Sequence, residues 1–260
     1  MTTTEVLPNR QIATIQRPHP LLAVMAWELR RLRASRSTWI LAFVSFGLFL
    51  FFIWLLWIAR FAGTGGFNNV TFSVPFTSAE GLVMTLPVLS FLLALILPFV
   101  NADGTARDLK QRTHELLMGT PLPSWAYIWG RYLTCLLVSL GLAVLLLAAL
   151  LLMGLILHQT QTDYPLPRPE AIVTIWAVAL VPTTILISSA SFALGTMLQH
   201  NSNLVKIGMI LGWFVFALVL PSIPVPGSGY VPSWYLHWEP TNIGMTALLQ
   251  APYSQGMDAA

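Results

Sequence analysis

The chain has 260 residues, enough for one or two soluble domains, yet residues AVILMFWYC make up 56% of it and charged residues only 9%. A soluble domain carries roughly 25% charged residues, so that class is excluded. The formal net charge is +3, but the basic residues flank apolar runs, which argues for a membrane and against a nucleic-acid partner.

Residues 1–18 are polar and Pro-containing, which predicts a flexible cytoplasmic N-terminus and lacks the apolar core of a cleavable signal peptide. From His19 to Arg36, Leu21, Leu22, Met25, Leu29 and Leu32 recur at helical spacing around Trp27. Glu28, Arg30, Arg31 and Arg33 form the charged flank. That pattern predicts an amphipathic helix lying in the headgroup plane.

A helix needs about 20 mostly apolar residues to cross the hydrocarbon core. Five stretches are candidates: Trp39 to Ala59, Gly81 to Val100 with Pro87 and Pro98, Tyr132 to Leu157, Ile172 to Leu198 with Pro182, and the shorter Ile207 to Leu220. Lys206 can snorkel to extend the last. Pro182, followed by Thr183 and Thr184, predicts a kink whose freed carbonyl is satisfied by neighbouring groups. Cys135 lies inside the third run and reads as a buried, inert thiol.

Lysine and arginine placement orients the spans. Arg10, Arg17, Arg30, Arg31, Arg33 and Arg36 precede the first. Arg107, Lys110, Arg112 and Arg131 lie between the second and third, and Lys206 between the fourth and fifth, whereas Arg60 and Arg168 alone fall on the other side. The N-terminus and the 101–131 segment are therefore expected in the cytoplasm, and residue 260 outside.

Between the second and third spans, Asp103 to Met118 reads as a charged helix. Asp103 or Thr105 caps it, Asp108 is a capping-box partner, and Gly119 and Pro121 stop it. Leu109, Leu116 and Leu117 form an apolar stripe, opposite Lys110, Arg112, His114 and Glu115. A solvated loop needs no such stripe.

The stretch Arg112-Thr-His-Glu115-Leu-Leu-Met-Gly-Thr-Pro121 resembles the cytoplasmic signature of ABC-2 type ABC transporter permeases. In that family an acidic residue, Gly-Thr-x-Glu, two apolar residues and a proline lie between the second and third spans. Asp108, Thr113, Glu115, Leu116, Leu117 and Pro121 match, while Arg112 stands where glycine is usual and Asp108 replaces the commoner glutamate.

The resemblance covers about residues 20 to 222. It implies an all-α polytopic permease domain over 19–222, with the 105–118 helix as the coupling helix that docks on a separate ABC ATPase subunit. Asp108, Lys110, Arg112, Thr113, His114, Glu115 and Leu116 would make that contact. It also brings the two cytoplasmic helices side by side, so that Glu115 meets Arg30, Arg31 or Arg33 as a brace. Two permease halves, identical or different, would enclose a central pathway. The family has a sixth span after an external segment, but no sixth apolar run follows the Pro-, Gly-, Trp- and Tyr-rich residues 223–260. The chain is then either a fragment of a longer permease, the favoured expectation, or an atypical member.

No G-x-x-x-x-G-K-[ST] occurs, so no cofactor is expected on the chain itself and ATP would act through the partner. The five histidines lack metal-ligand spacing. Asp103-Gly-Thr-Ala-Arg107 is similar to the core of CDP-alcohol phosphotransferases, but it is one residue short and lacks the downstream aspartate pair that would hold a metal. Thr183, Thr184 and Ser188 are candidates for lining a polar pathway, although such residues more often join helices. The spans carry almost no ionisable groups, which favours a lipid-like, drug-like or lipid-linked glycan cargo over an inorganic ion. The expectation is thus an exporter permease in a bacterial inner membrane. A structural or assembly subunit and a membrane phosphotransferase are the alternatives.

Overall fold

The computed structural model describes residues 19–61, 79–102, 123–161, 164–198 and 201–216. The segment 103–122, which holds the residues expected for a coupling helix, and residues 223–260, expected on the external side, are not among them. The described residues are mostly helical, and none of them is in a strand. Helix α1 is Pro20–Ala34, α2 Arg36–Phe61, α3 Ala79–Asn101 and α4 Ser124–Thr160. Helix α5, Pro169–Ile175, passes through a π-helical turn, Trp176–Leu180, into α6, Val181–Met197; α7 is Ser202–Phe214.

Among the described residues, four helical stretches are long and apolar enough to cross a membrane: Arg36–Ile58, Gly81–Asn101, Ser124–Thr160 and Pro169–Met197. The expected fifth span begins within the shorter apolar helix Asn203–Phe214, and its residues 217–220 fall outside the described residues. The span at α3 is 53% buried and that at α2 only 17%, so α3 is the centre of the bundle and α2 its flank. Leu86, Leu89, Leu93 and Leu97 of α3 meet Leu146 of α4 and Ile187 of α6 in one apolar cluster, joined by Phe49 and Ile53 of α2.

Helix α4 starts eight residues before the Tyr132 expected from the apolar run. Arg131 ends the hydrophobic pattern without ending the helix, because arginine is a good helix former. At 37 residues, and at about 1.5 Å per residue, α4 outruns a hydrocarbon core of about 30 Å. Its first turns are where α1 packs. The His19 and Trp125 rings meet at a tilt, Val24 meets Gly130, and Glu28 meets Arg131, so the two helices run in step.

The kink expected at Pro182 takes the form of the π turn. Val181 N–H bonds Trp176 O, five residues back. This wider register makes room next to a ring that cannot donate. Trp176 Nε1 donates to Ala143 O at 2.8 Å and ties the wide turn to α4.

The basic side chains gather at one end. Glu28, Leu32, Val100, Arg131 and Thr134 line one cavity there, Lys206 Nζ lies 5.6 Å from the Phe99 ring centroid, and Gly195 packs on Ala102. That end thus holds the end of α1, the start of α2, the end of α3, the first turns of α4, the end of α6 and the start of α7. Arg168, between α4 and α5, is at the other end.

Candidate functional site

The basic end contains a buried ion pair. Arg131 Nε donates to Glu28 Oε1 at 3.0 Å, and its Nη2 lies 2.9 Å from the same oxygen. Nη1 donates to Tyr127 Oη at 2.7 Å, one helical turn earlier, and the guanidinium lies 5.3 Å from that ring's centroid. Both charged side chains are more than nine-tenths buried. Charges this far from water persist only when paired and hydrogen-bonded. Arg31 Nη1 stands 3.9 Å from Glu28 Oε1, with its guanidinium 5.5 Å from the Trp27 ring centroid.

This arrangement corrects one expectation: Glu28 does not lie on a solvated flank but faces α4 together with Val24. Leu22 and Leu29, expected to face the lipid, are exposed on the protein together with Trp27. Of the expected brace, Arg30 and Arg33 are exposed and Arg31 is half-buried, while Glu115 lies outside the described residues. The bond that sequence reasoning missed is the one between Glu28 and Arg131. Two signals pointed to it: a lone acid among four arginines in 28–36, and a lone charge in the 37-residue α4.

Beside this pair is a cavity of about 50 Å³, completed by Cys135 and Val138. Cys135 is half-buried against it, in place of the fully buried thiol expected.

A second polar node joins three helices. Asn101 Nδ2, at the last residue of α3, donates to Ser139 Oγ of α4 and Ser188 Oγ of α6, both at 3.1 Å. Ser139 Oγ can in turn donate to Asn101 Oδ1 at 3.2 Å or to Cys135 O at 2.9 Å. All three side chains are buried. Below the node on α6, Thr183 donates to Ala179 O and Thr184 to Leu180 O, both carbonyls of the π turn. Thr183, Thr184 and Ser188, the candidate pathway residues, are therefore packed into helix contacts in the single chain. Ser191 Oγ, one turn beyond Ser188, is buried without a hydrogen-bond partner.

Gly195 continues the same face of α6, since positions 184, 188, 191 and 195 follow helical spacing. A Cβ there would lie 2.8 Å from Ala102 O. Only glycine lets the end of α3 come this close, and that contact sets the end of α3 where the segment 103–122 departs.

Among the described residues, no three His, Cys, Asp or Glu side chains come together as a metal site. No protein-family model matches the chain, and no curated protein matches its sequence.

Proposed function

We propose that the chain is the membrane-spanning permease half of an ATP-driven ABC-2 type transporter, an exporter of a lipid-like, drug-like or lipid-linked glycan cargo. A separate ATPase subunit powers it, and a second permease half completes the pathway. Five spans are oriented with the N-terminus and the 103–122 segment in the cytoplasm.

The observation that carries this reading is the position of the signature around Thr113, Glu115, Leu116, Leu117 and Pro121. It occurs in the segment joining the second and third spans, at the end of the bundle where the arginines gather and α1 packs. Polar side chains at Asp108, Lys110, Arg112 and His114 suit docking on a soluble ATPase, and Leu109, Leu116 and Leu117 suit anchoring to the permease. In the chain, the Asn101 node comes just before that segment, at the end of α3, and Arg131 of the buried pair just after it, in the first turns of α4. A motion received at 103–122 would pass into helices already fastened to one another, the condition for moving them as a body.

The test is co-purification of the proposed partner ATPase, together with transport-coupled ATP hydrolysis. Arg112→Glu should weaken docking without disturbing the spans. Leu116→Gly should weaken it through lost helix propensity of about 1 kcal/mol and lost burial of roughly 1.5–3 kcal/mol. Wild-type levels of both readouts in stably folded variants would overturn the coupling assignment. ATPase binding with no substrate movement would favour the structural or assembly subunit.

A further inference from the structure

We infer that the elbow between α1 and α2 is a docking surface for anionic phospholipid headgroups, formed by Arg30, Arg33 and Arg36. The inference rests on the membrane-spanning part of the reading above and not on the transporter assignment.

Charge balance is the first argument. Arg30, Arg31, Arg33 and Arg36 occupy seven positions, and the acid beside them, Glu28, is turned inward and held by Arg131. Among the described residues no acidic side chain pairs with Arg30, Arg33 or Arg36, and all three are exposed. By neutralising Glu28 from inside the bundle, Arg131 leaves the outer surface of the elbow with uncompensated positive charge.

Position is the second. The apolar stretch of α2 begins at Arg36, and Arg33 and Arg30 precede it within the last two turns of α1, across the bend at Ser35. The three charges therefore lie beside the start of the apolar span, where headgroups meet the hydrocarbon core. The elbow is also fixed in shape: Ser35 is extended, its N–H bonds Leu32 O, and Trp39 Nε1 donates to Arg33 O at 2.9 Å.

The third is what surrounds the charges. By helical spacing Leu22, Leu29 and Arg33 share a stripe of α1, with Arg30 beside it. Leu22 and Leu29 are exposed, as are Trp39, Ile40 and Phe43 on the adjoining turns of α2. Basic, then tryptophan, then apolar is the profile of a headgroup–acyl boundary. An acidic soluble protein would match the arginines but leave these apolar side chains unaccounted for.

The full chain, purified in detergent, is titrated with phosphatidylglycerol, with phosphatidylcholine and with inorganic phosphate, and bound lipid is counted by native mass spectrometry. Wild-type protein should prefer phosphatidylglycerol, and inorganic phosphate should not compete at equal concentration. Arg30→Gln, Arg33→Gln and Arg36→Gln should each lower the preference about fivefold. The triple Arg→Lys variant should keep it, as should Arg168→Gln at the opposite end.

Equal binding of the two lipids by wild type would overturn the inference and turn attention to an acidic protein partner. So would a preference surviving in the triple Gln variant, or displacement by free phosphate, which would make this an anion site without lipid. Retention in phosphatidylcholine vesicles through alkaline carbonate reports insertion separately. Loss of lipid preference in a chain that stays inserted therefore defeats this inference alone.

Discussion

Arg131 and Glu28 stand 103 residues apart in the chain, yet their side chains meet at 2.9 to 3.0 Å with 4% and 8% of their surface exposed. Removing one member leaves the other charged and buried, which typically costs about 3–5 kcal/mol. Glu28→Met and Arg131→Met should each lower the unfolding midpoint in detergent sharply. The double replacement Glu28→Met with Arg131→Met should recover much of the loss, because an apolar pair of similar volume removes the desolvation cost. Strictly additive effects in this cycle would show that the two side chains are not coupled.

Gly195 and Gly141 make a matched pair of tests. A methyl group at 195 meets the backbone of Ala102, with 2.8 Å to its oxygen, while one at 141 meets nothing within 4 Å. Gly195→Ala should destabilise the protein by about 1–3 kcal/mol by forcing α3 and α6 apart. Gly141→Ala should be neutral or gain up to about 1 kcal/mol of helix propensity. Equal midpoints for the two variants would mean that the α3–α6 contact is looser than described.

Two serines one turn apart on α6 should respond in opposite ways. Ser188 accepts from Asn101, whereas the buried Ser191 Oγ has no partner. Ser188→Ala should cost about 1 kcal/mol, in the range for hydrogen bonds between helices in a membrane. Ser191→Ala should be neutral or stabilising, since it removes a buried polar atom that makes no bond. Thermal unfolding in detergent reads both, and a larger loss at 191 than at 188 would contradict the assignment of the node.

The orientation is checked by single cysteines in a Cys135→Ser background. Leu166, 62% exposed between α4 and α5, is a better probe of the outer side than the half-buried Tyr164. Leu166→Cys and Asn69→Cys should react with an impermeant maleimide in intact cells, and Lys110→Cys only after lysis. The reverse pattern would invert the topology.

The membrane class, the four long apolar helices and the segregation of basic residues were all legible in the sequence. Hydropathy and charge are local sums, and neither depends on which helix neighbours which. The same locality explains why the apolar run begins at Tyr132 and the helix at Ser124: Arg131 interrupts hydropathy but not backbone hydrogen bonding, so the composition changes where the helix does not.

Only the tertiary structure decided the partners. Glu28 resembles any charge on an amphipathic flank until α1 is laid along the first turns of α4 in the register that brings it to Arg131. Asn101 closes an apolar run in the sequence and becomes a three-helix node through the depth at which α3 ends against Ser139 and Ser188. Gly195 is one small residue among many until Ala102 is found beneath it. Helix register and relative depth are set by the packing of all the helices at once, and no single stretch of sequence encodes them.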